Sequence, residues 1–258
     1  MKRNAAFAQN FASIALAMVV FCACAHSQEA EDQHLASPPA DVTVSALKVP
    51  RSRLPDFNED IYYKNRLEFS LETGYLPINI PFVYNFITGD TYTRWPLSYT
   101  LVPNVASLRW ERANIGGWRI LRGNNDYSFS GSYTAIPRGP ETRYFAFDFG
   151  IRRNFVPRRW RVAPYFEMRG GVGNINAKGP EGVLYAQGQD LTFTYMMGAG
   201  ARYNFSPRYS IAGGATYMHV SNAGLSNPQV TNFGINVWGP IFGFYMRMGK
   251  AKRSSLGK

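Results

Sequence analysis

The chain has 258 residues, a formal charge of +11, 15% aromatic residues, two cysteines and three histidines. Both cysteines, Cys22 and Cys24, lie in an apolar N-terminal run, and of His26, His34 and His219 only the last falls in a periodic segment. These counts exclude a disulfide-stapled fold, a thiol nucleophile and a Cys/His metal site in the body of the chain, while the basic balance suits nucleic acid, an anionic lipid or simple solvation.

Residues 1–25 predict a secretory signal: Lys2 and Arg3 precede an apolar run from Phe11 to Ala25 that ends in Ala23-Cys24-Ala25. A lipoprotein signal with Cys22 or Cys24 as the lipidated residue is the rival reading, although neither has a good small-residue lipobox before it. Export leaves no role for nucleic acid. Residues 26–60 are polar, charged and Pro-rich (Ser37-Pro38-Pro39, Pro50, Pro55), and predict a flexible leader without a core of its own.

From Arg66 onward the dominant signal is alternation. Leu67, Phe69 and Leu71 alternate with Glu68, Ser70 and Glu72; Phe145, Phe147, Phe149 and Ile151 alternate with Ala146, Asp148, Gly150 and Arg152. Leu191, Phe193, Tyr195 and Met197 alternate with Thr192, Thr194, Met196 and Gly198. Eight such strands are predicted, near 65–75, 98–111, 126–135, 142–154, 161–172, 190–204, 208–220 and 233–248. One apolar face against one small or polar face, in strands of about 9–11 residues, predicts an all-β, eight-stranded antiparallel transmembrane β-barrel over residues 61–248. A soluble sandwich produces similar alternation in shorter strands.

Asn154-Phe155-Val156-Pro157-Arg158 recurs as Asn204-Phe205-Ser206-Pro207-Arg208, which predicts two short turns at one end of the barrel. Segments 76–97, 173–189 and 221–232 then become loops at the other, outward end. Arg94 and Lys178 fall in these loops as candidate phosphate contacts or as solvated charges, and Trp95, Trp110, Trp160 and Trp238 suit an interfacial girdle. Gly239, Phe242 and Phe244 look like the C-terminal signal that outer-membrane barrels present to the barrel-assembly machinery, although a basic tail, 249–258, follows.

The seventh strand carries the candidate chemistry. Tyr209, Ile211, Gly213, Ala215, Tyr217, His219 and Ser221 share one parity, against Ser210, Ala212, Gly214, Thr216 and Met218. His219 and Ser221 therefore project together, a general base beside a nucleophile on the bilayer-facing wall. Read without chemistry, the same pair is interfacial and wetted by headgroups. Asn236 shares parity with Trp238, Phe242 and Phe244, which predicts that it points outward beside His219.

His219-Val220-Ser221-Asn222-Ala223-Gly224, followed by Gly234-Ile235-Asn236, resembles the PagL family of outer-membrane lipid A deacylases. The resemblance implies a bacterial outer-membrane barrel that takes lipid A or lipopolysaccharide as substrate, with its site facing the outer leaflet. It implies hydrolysis of the ester-linked acyl chain at the 3 position, with no cofactor and no metal. Carried over, Ser221 is the nucleophile, His219 its base, and Asn222 and Gly224 the oxyanion positions. The best-known members carry Glu where this chain has Asn236, to which His orientation is assigned; Asp190 is the other candidate acid. A catalytically weak or inactive structural or adhesion barrel is the alternative function, and a passive pore is a third.

Overall fold

The computed structural model describes residues 56–80, 98–177, 187–226 and 234–249. The signal, most of the leader, the basic tail beyond 249, and Arg94, Trp95 and Lys178 lie outside the described residues. The strands are β1 (Leu67–Gly74), β2 (Ile78–Asn79), β3 (Thr100–Glu111), β4 (Gly123–Arg138), β5 (Arg143–Phe155), β6 (Val162–Ile175), β7 (Leu191–Tyr203), β8 (Tyr209–Ser221) and β9 (Ile235–Arg247). Neighbours pair antiparallel in the order β1-β3-β4-β5-β6-β7-β8-β9, and β9 returns to pair with β1, which closes the barrel.

Each predicted strand is present, with its ends displaced by at most three residues. The larger differences have local causes. β4 gains residues at its start because Asn124 shares the lumen-facing side with Asp126, where polar side chains hide the apolar period, and Asn125 on the other side is polar too. The first strand is interrupted at Tyr75-Leu76-Pro77, where Pro has no N–H for the ladder; β2 then continues along β9 through Ile78↔Trp238 and Asn79↔Val237. β4 and β5 are joined tightly through Gly139, whose φ of +142° and closeness to the Tyr99 ring admit only glycine.

The register fixes the stagger. From Phe69 the directly paired residues are Leu108, Phe129, Phe149, Gly170, Tyr195, His219 and Asn236. Phe69 also pairs with Met246, so one circuit climbs ten residues along β9, from Met246 to Asn236. Such a shear goes with strongly tilted strands and a lumen narrow enough for side chains to fill.

The lumen is filled by charge. Glu72 and Glu167 each meet Arg109, Arg152 and Arg169, while Glu68 holds Arg202 and Arg247. Tyr245 donates to Glu72. An apolar layer of Leu76, Tyr99, Leu101, Ile136, Tyr144, Met196, Met218, Val220, Ile235 and Val237 covers the network at the loop end. At the turn end Ile61, Tyr62, Val156 and Ala163 do the same. The packed structure begins before residue 61: Phe57–Asp60, expected within the leader, form a 3-10 turn. There buried Asn58 donates from Nδ2 to Pro157 O and Trp160 O, both at 2.9 Å.

Candidate active site on the outer wall

The outward face of β8 ends in His219 and Ser221, both partly exposed, while the intervening Val220 is fully buried in the loop-end apolar layer. Val220 and Met218 on the inner face thus anchor the strand and leave odd-numbered side chains on the exterior. β9 brings Asn236 directly opposite His219. Register alone therefore places three of the sequence-predicted residues on one patch.

The side chains connect in series. Ser221 Oγ lies 3.0 Å from His219 Nε2, and His219 Nδ1 lies 2.8 Å from Asn236 Oδ1. An amide oxygen only accepts, so Nδ1 carries the proton and Nε2 is left to accept the Ser221 hydroxyl proton. Tyr217 Oη donates to the same Asn236 oxygen at 2.6 Å. Two donors on Oδ1 fix which way the amide faces. Asn236 is 7% exposed and Tyr217 5% exposed, so water competes little for these bonds.

Two residues without an assigned role complete the arrangement. Tyr217 has the parity of His219, but its link to Asn236 depends on the β8–β9 register, which a single strand does not reveal. Gly234 has φ +67°, and a Cβ there would sit 3.1 Å from His219 Cε1. The Gly-x-Asn spacing was visible; the reason for the glycine is the imidazole edge beside it.

Asn222 and Gly224 follow in a turn. Asn222 is fully buried; its Oδ1 accepts the Gly224 N–H at 2.9 Å, and its Nδ2 donates to Ser226 Oγ at 2.7 Å. Leu225 N–H closes the turn on Asn222 O at 3.0 Å. Ala223 and Gly224 both have positive φ, at +56° and +78°, a shape that the Asn side chain supports. The backbone N–H groups of Asn222 and Ala223 have no acceptor among the described residues.

Asp190 does not join this group. Its Oδ1 accepts the Ala177 N–H at 3.0 Å, and it lies five residues, about 17 Å of strand, from Tyr195, the residue paired with His219. The border of the patch is aromatic: Phe193 pairs with Ser221, Tyr195 with His219 and Trp238 with Tyr217. Among the described residues no cluster of metal-ligating side chains occurs, and no helix is long and apolar enough to cross a membrane.

No curated protein matches the sequence. Among solved structures, the crystal structure of the outer membrane enzyme PagL is similar at 18% identity and TM-score 0.45, covering 70% of this chain and 99% of that one. The crystal structure of Neisserial surface protein A (NspA) follows at 10% identity and TM-score 0.44, covering 71% and 97%. A de novo designed transmembrane β-barrel gives 12% identity and TM-score 0.33, covering 72% and 97%. The lipid A 3-O-deacylase (PagL) family profile matches residues 104–245, from β3 to β9, and the chain is therefore a member of that family and an outer-membrane barrel.

Proposed function

We propose that the protein hydrolyses the ester-linked acyl chain at the 3 position of lipid A, with Ser221 as nucleophile, His219 as general base and Asn236 as the group that orients the imidazole. The observation that carries this reading is the unbroken series Ser221–His219–Asn236 on the exterior wall. His219 takes the Ser221 proton as Oγ attacks the ester carbonyl, and returns a proton to the departing sugar oxygen. Water, activated by the same imidazole, then frees the fatty acid from Ser221. The turn at Asn222–Gly224 supplies the oxyanion position. The Asn222 backbone N–H is a donor with no partner among the described residues, and the Gly224 N–H, held by Asn222 Oδ1, fixes the turn. The chemistry needs no cofactor or metal.

In this reading residues 1–25 direct export and are removed, 26–56 form the leader, and the barrel-assembly machinery reads the end of β9. The loop end then faces the outer leaflet, where lipid A resides.

Expression in an outer-membrane host, with mass spectrometry of its lipid A, tests the proposal. The expected result is loss of one hydroxyacyl chain, absent with Ser221→Ala or His219→Ala. Unchanged lipid A despite a properly assembled barrel would establish the second reading, a structural barrel, which the amide at Asn236 favours. A passive pore finds no support, because the charge network and both apolar layers occupy the lumen.

A further inference from the structure

The barrel end opposite the triad carries its own surface chemistry. Lys64, Arg119, Arg158, Arg159, Arg161 and Arg208 are exposed there, drawn from every turn-end connection and so spread around the whole rim. Among the described residues the carboxylates at the surface of this end are Glu59, exposed and approached by Arg122 at 3.7 Å, and the half-buried Asp56 and Asp60. No ion pair joins Arg119, Arg158, Arg161 or Arg208 to a described carboxylate. At the loop end the exposed cations among the described residues are Arg138 and Arg143.

Large apolar side chains stand between these cations. Ile120 is 85% exposed, Trp118 73% and Trp160 65%. Arg119, which has a φ of +47°, places its guanidinium over the Trp118 ring at 4.8 Å. Free in water, such a rim would expose apolar surface to no purpose. At a bilayer boundary the two halves fit: indole and aliphatic groups reach the glycerol–acyl level, and guanidinium groups reach the headgroups. Free phosphate would use the cations and leave the apolar groups unexplained.

We propose that this turn-end rim is a docking surface for anionic phospholipid headgroups, with guanidinium pairs gripping the phosphodiester. The proposal rests on the membrane location and is independent of the chemistry at Ser221. The test uses the full chain in phosphatidylcholine vesicles doped with spin-labelled phosphatidylglycerol or spin-labelled phosphatidylcholine. The readout is the motionally restricted fraction of each label.

The expected result is a preference for phosphatidylglycerol of about threefold or more, falling toward unity at about 1 M salt, where screening is nearly complete. Arg119→Gln, Arg158→Gln and Arg208→Gln together abolish the preference, and Arg138→Gln with Arg143→Gln leaves it intact. Heat-dependent gel mobility reports whether each variant is folded. The salt titration of the wild-type protein needs no variant. Equal restriction of both labels in the wild type would overturn the proposal. So would a preference that resists salt, survives the triple change or is lost with the loop-end pair.

Discussion

In the lumen, Glu72 and Glu167 are each shared by three arginines, whereas on the wall His219 is held by the amide of Asn236. The two regions solve different electrostatic problems. A carboxylate buried among several guanidinium groups has its desolvation offset by their combined attraction and hydrogen bonds. A carboxylate on the bilayer-facing wall would have one neutral imidazole and one phenol as partners, and a charge near lipid is costly. An amide oxygen is satisfied there by His219 Nδ1–H and Tyr217 O–H alone. In the proposed mechanism the amide gives up part of the stabilisation that a carboxylate would give to an imidazolium formed in the transition state.

This contrast separates two classes of variant, the lumen setting stability and the wall setting turnover. The largest effect belongs to Ser221→Ala and His219→Ala. Each lowers lipid A deacylation by roughly 10⁵–10⁶ in a vesicle assay, with heat-modifiable gel mobility retained. Asn236→Ala comes next, with a loss of roughly tenfold to a hundredfold in kcat, because an orienting bond to a charged transition-state partner is removed. Asn236→Glu sharpens the contrast: kcat rises by about tenfold or more, while the urea midpoint of unfolding falls. No gain in a folded variant would mean that the amide is not what limits turnover.

In the lumen, Glu167→Gln leaves three guanidinium groups short of a counter-charge and lowers stability by about 3 kcal/mol, read from urea unfolding. Turnover per folded barrel stays at the wild-type value. A matching loss of turnover would break the division between the two regions. The smallest effect is that of Tyr217→Phe, about fivefold in kcat from one lost hydrogen bond. Without the phenol the amide can turn its Nδ2 toward His219, which orients the wrong group at Nδ1. The penalty therefore shrinks in an Asn236→Glu background, where both oxygens accept.

The strands were legible because their exterior faces are apolar over long, uninterrupted runs such as Phe145–Ile151. What escaped were stretches whose role depends on partners far away in sequence. Asn58, 99 residues from Pro157, reads as part of a polar leader until the turn that it caps is known. Glu68 and Glu72 were visible as the polar phase of β1, but nothing local shows that closure sets them against arginines from β3, β5, β6, β7 and β9. At the site, the shared parity of His219 and Ser221 is a property of one strand and needs no register. The contact of Tyr217 with Asn236 exists only once two strands are aligned, and the Asn222 turn only once Ala223 and Gly224 adopt left-handed φ.

Asn236 stands on the final strand, whose far edge is stitched to the first: Ile80 N–H reaches Asn236 O at 3.2 Å, and β1 runs alongside from Glu68↔Arg247 to Gly74↔Ile241. His219 and Asn236 meet through the β8–β9 pairing, and the backbone of Asn236 is tied on its other side by Ile80, at the seam where the ends of the cylinder meet. In the proposed mechanism, a chain whose β9 has not yet paired with β8 has Ser221 and His219 on one strand but lacks the amide that aims the imidazole. Under that reading the site is complete only when the last strand is in place.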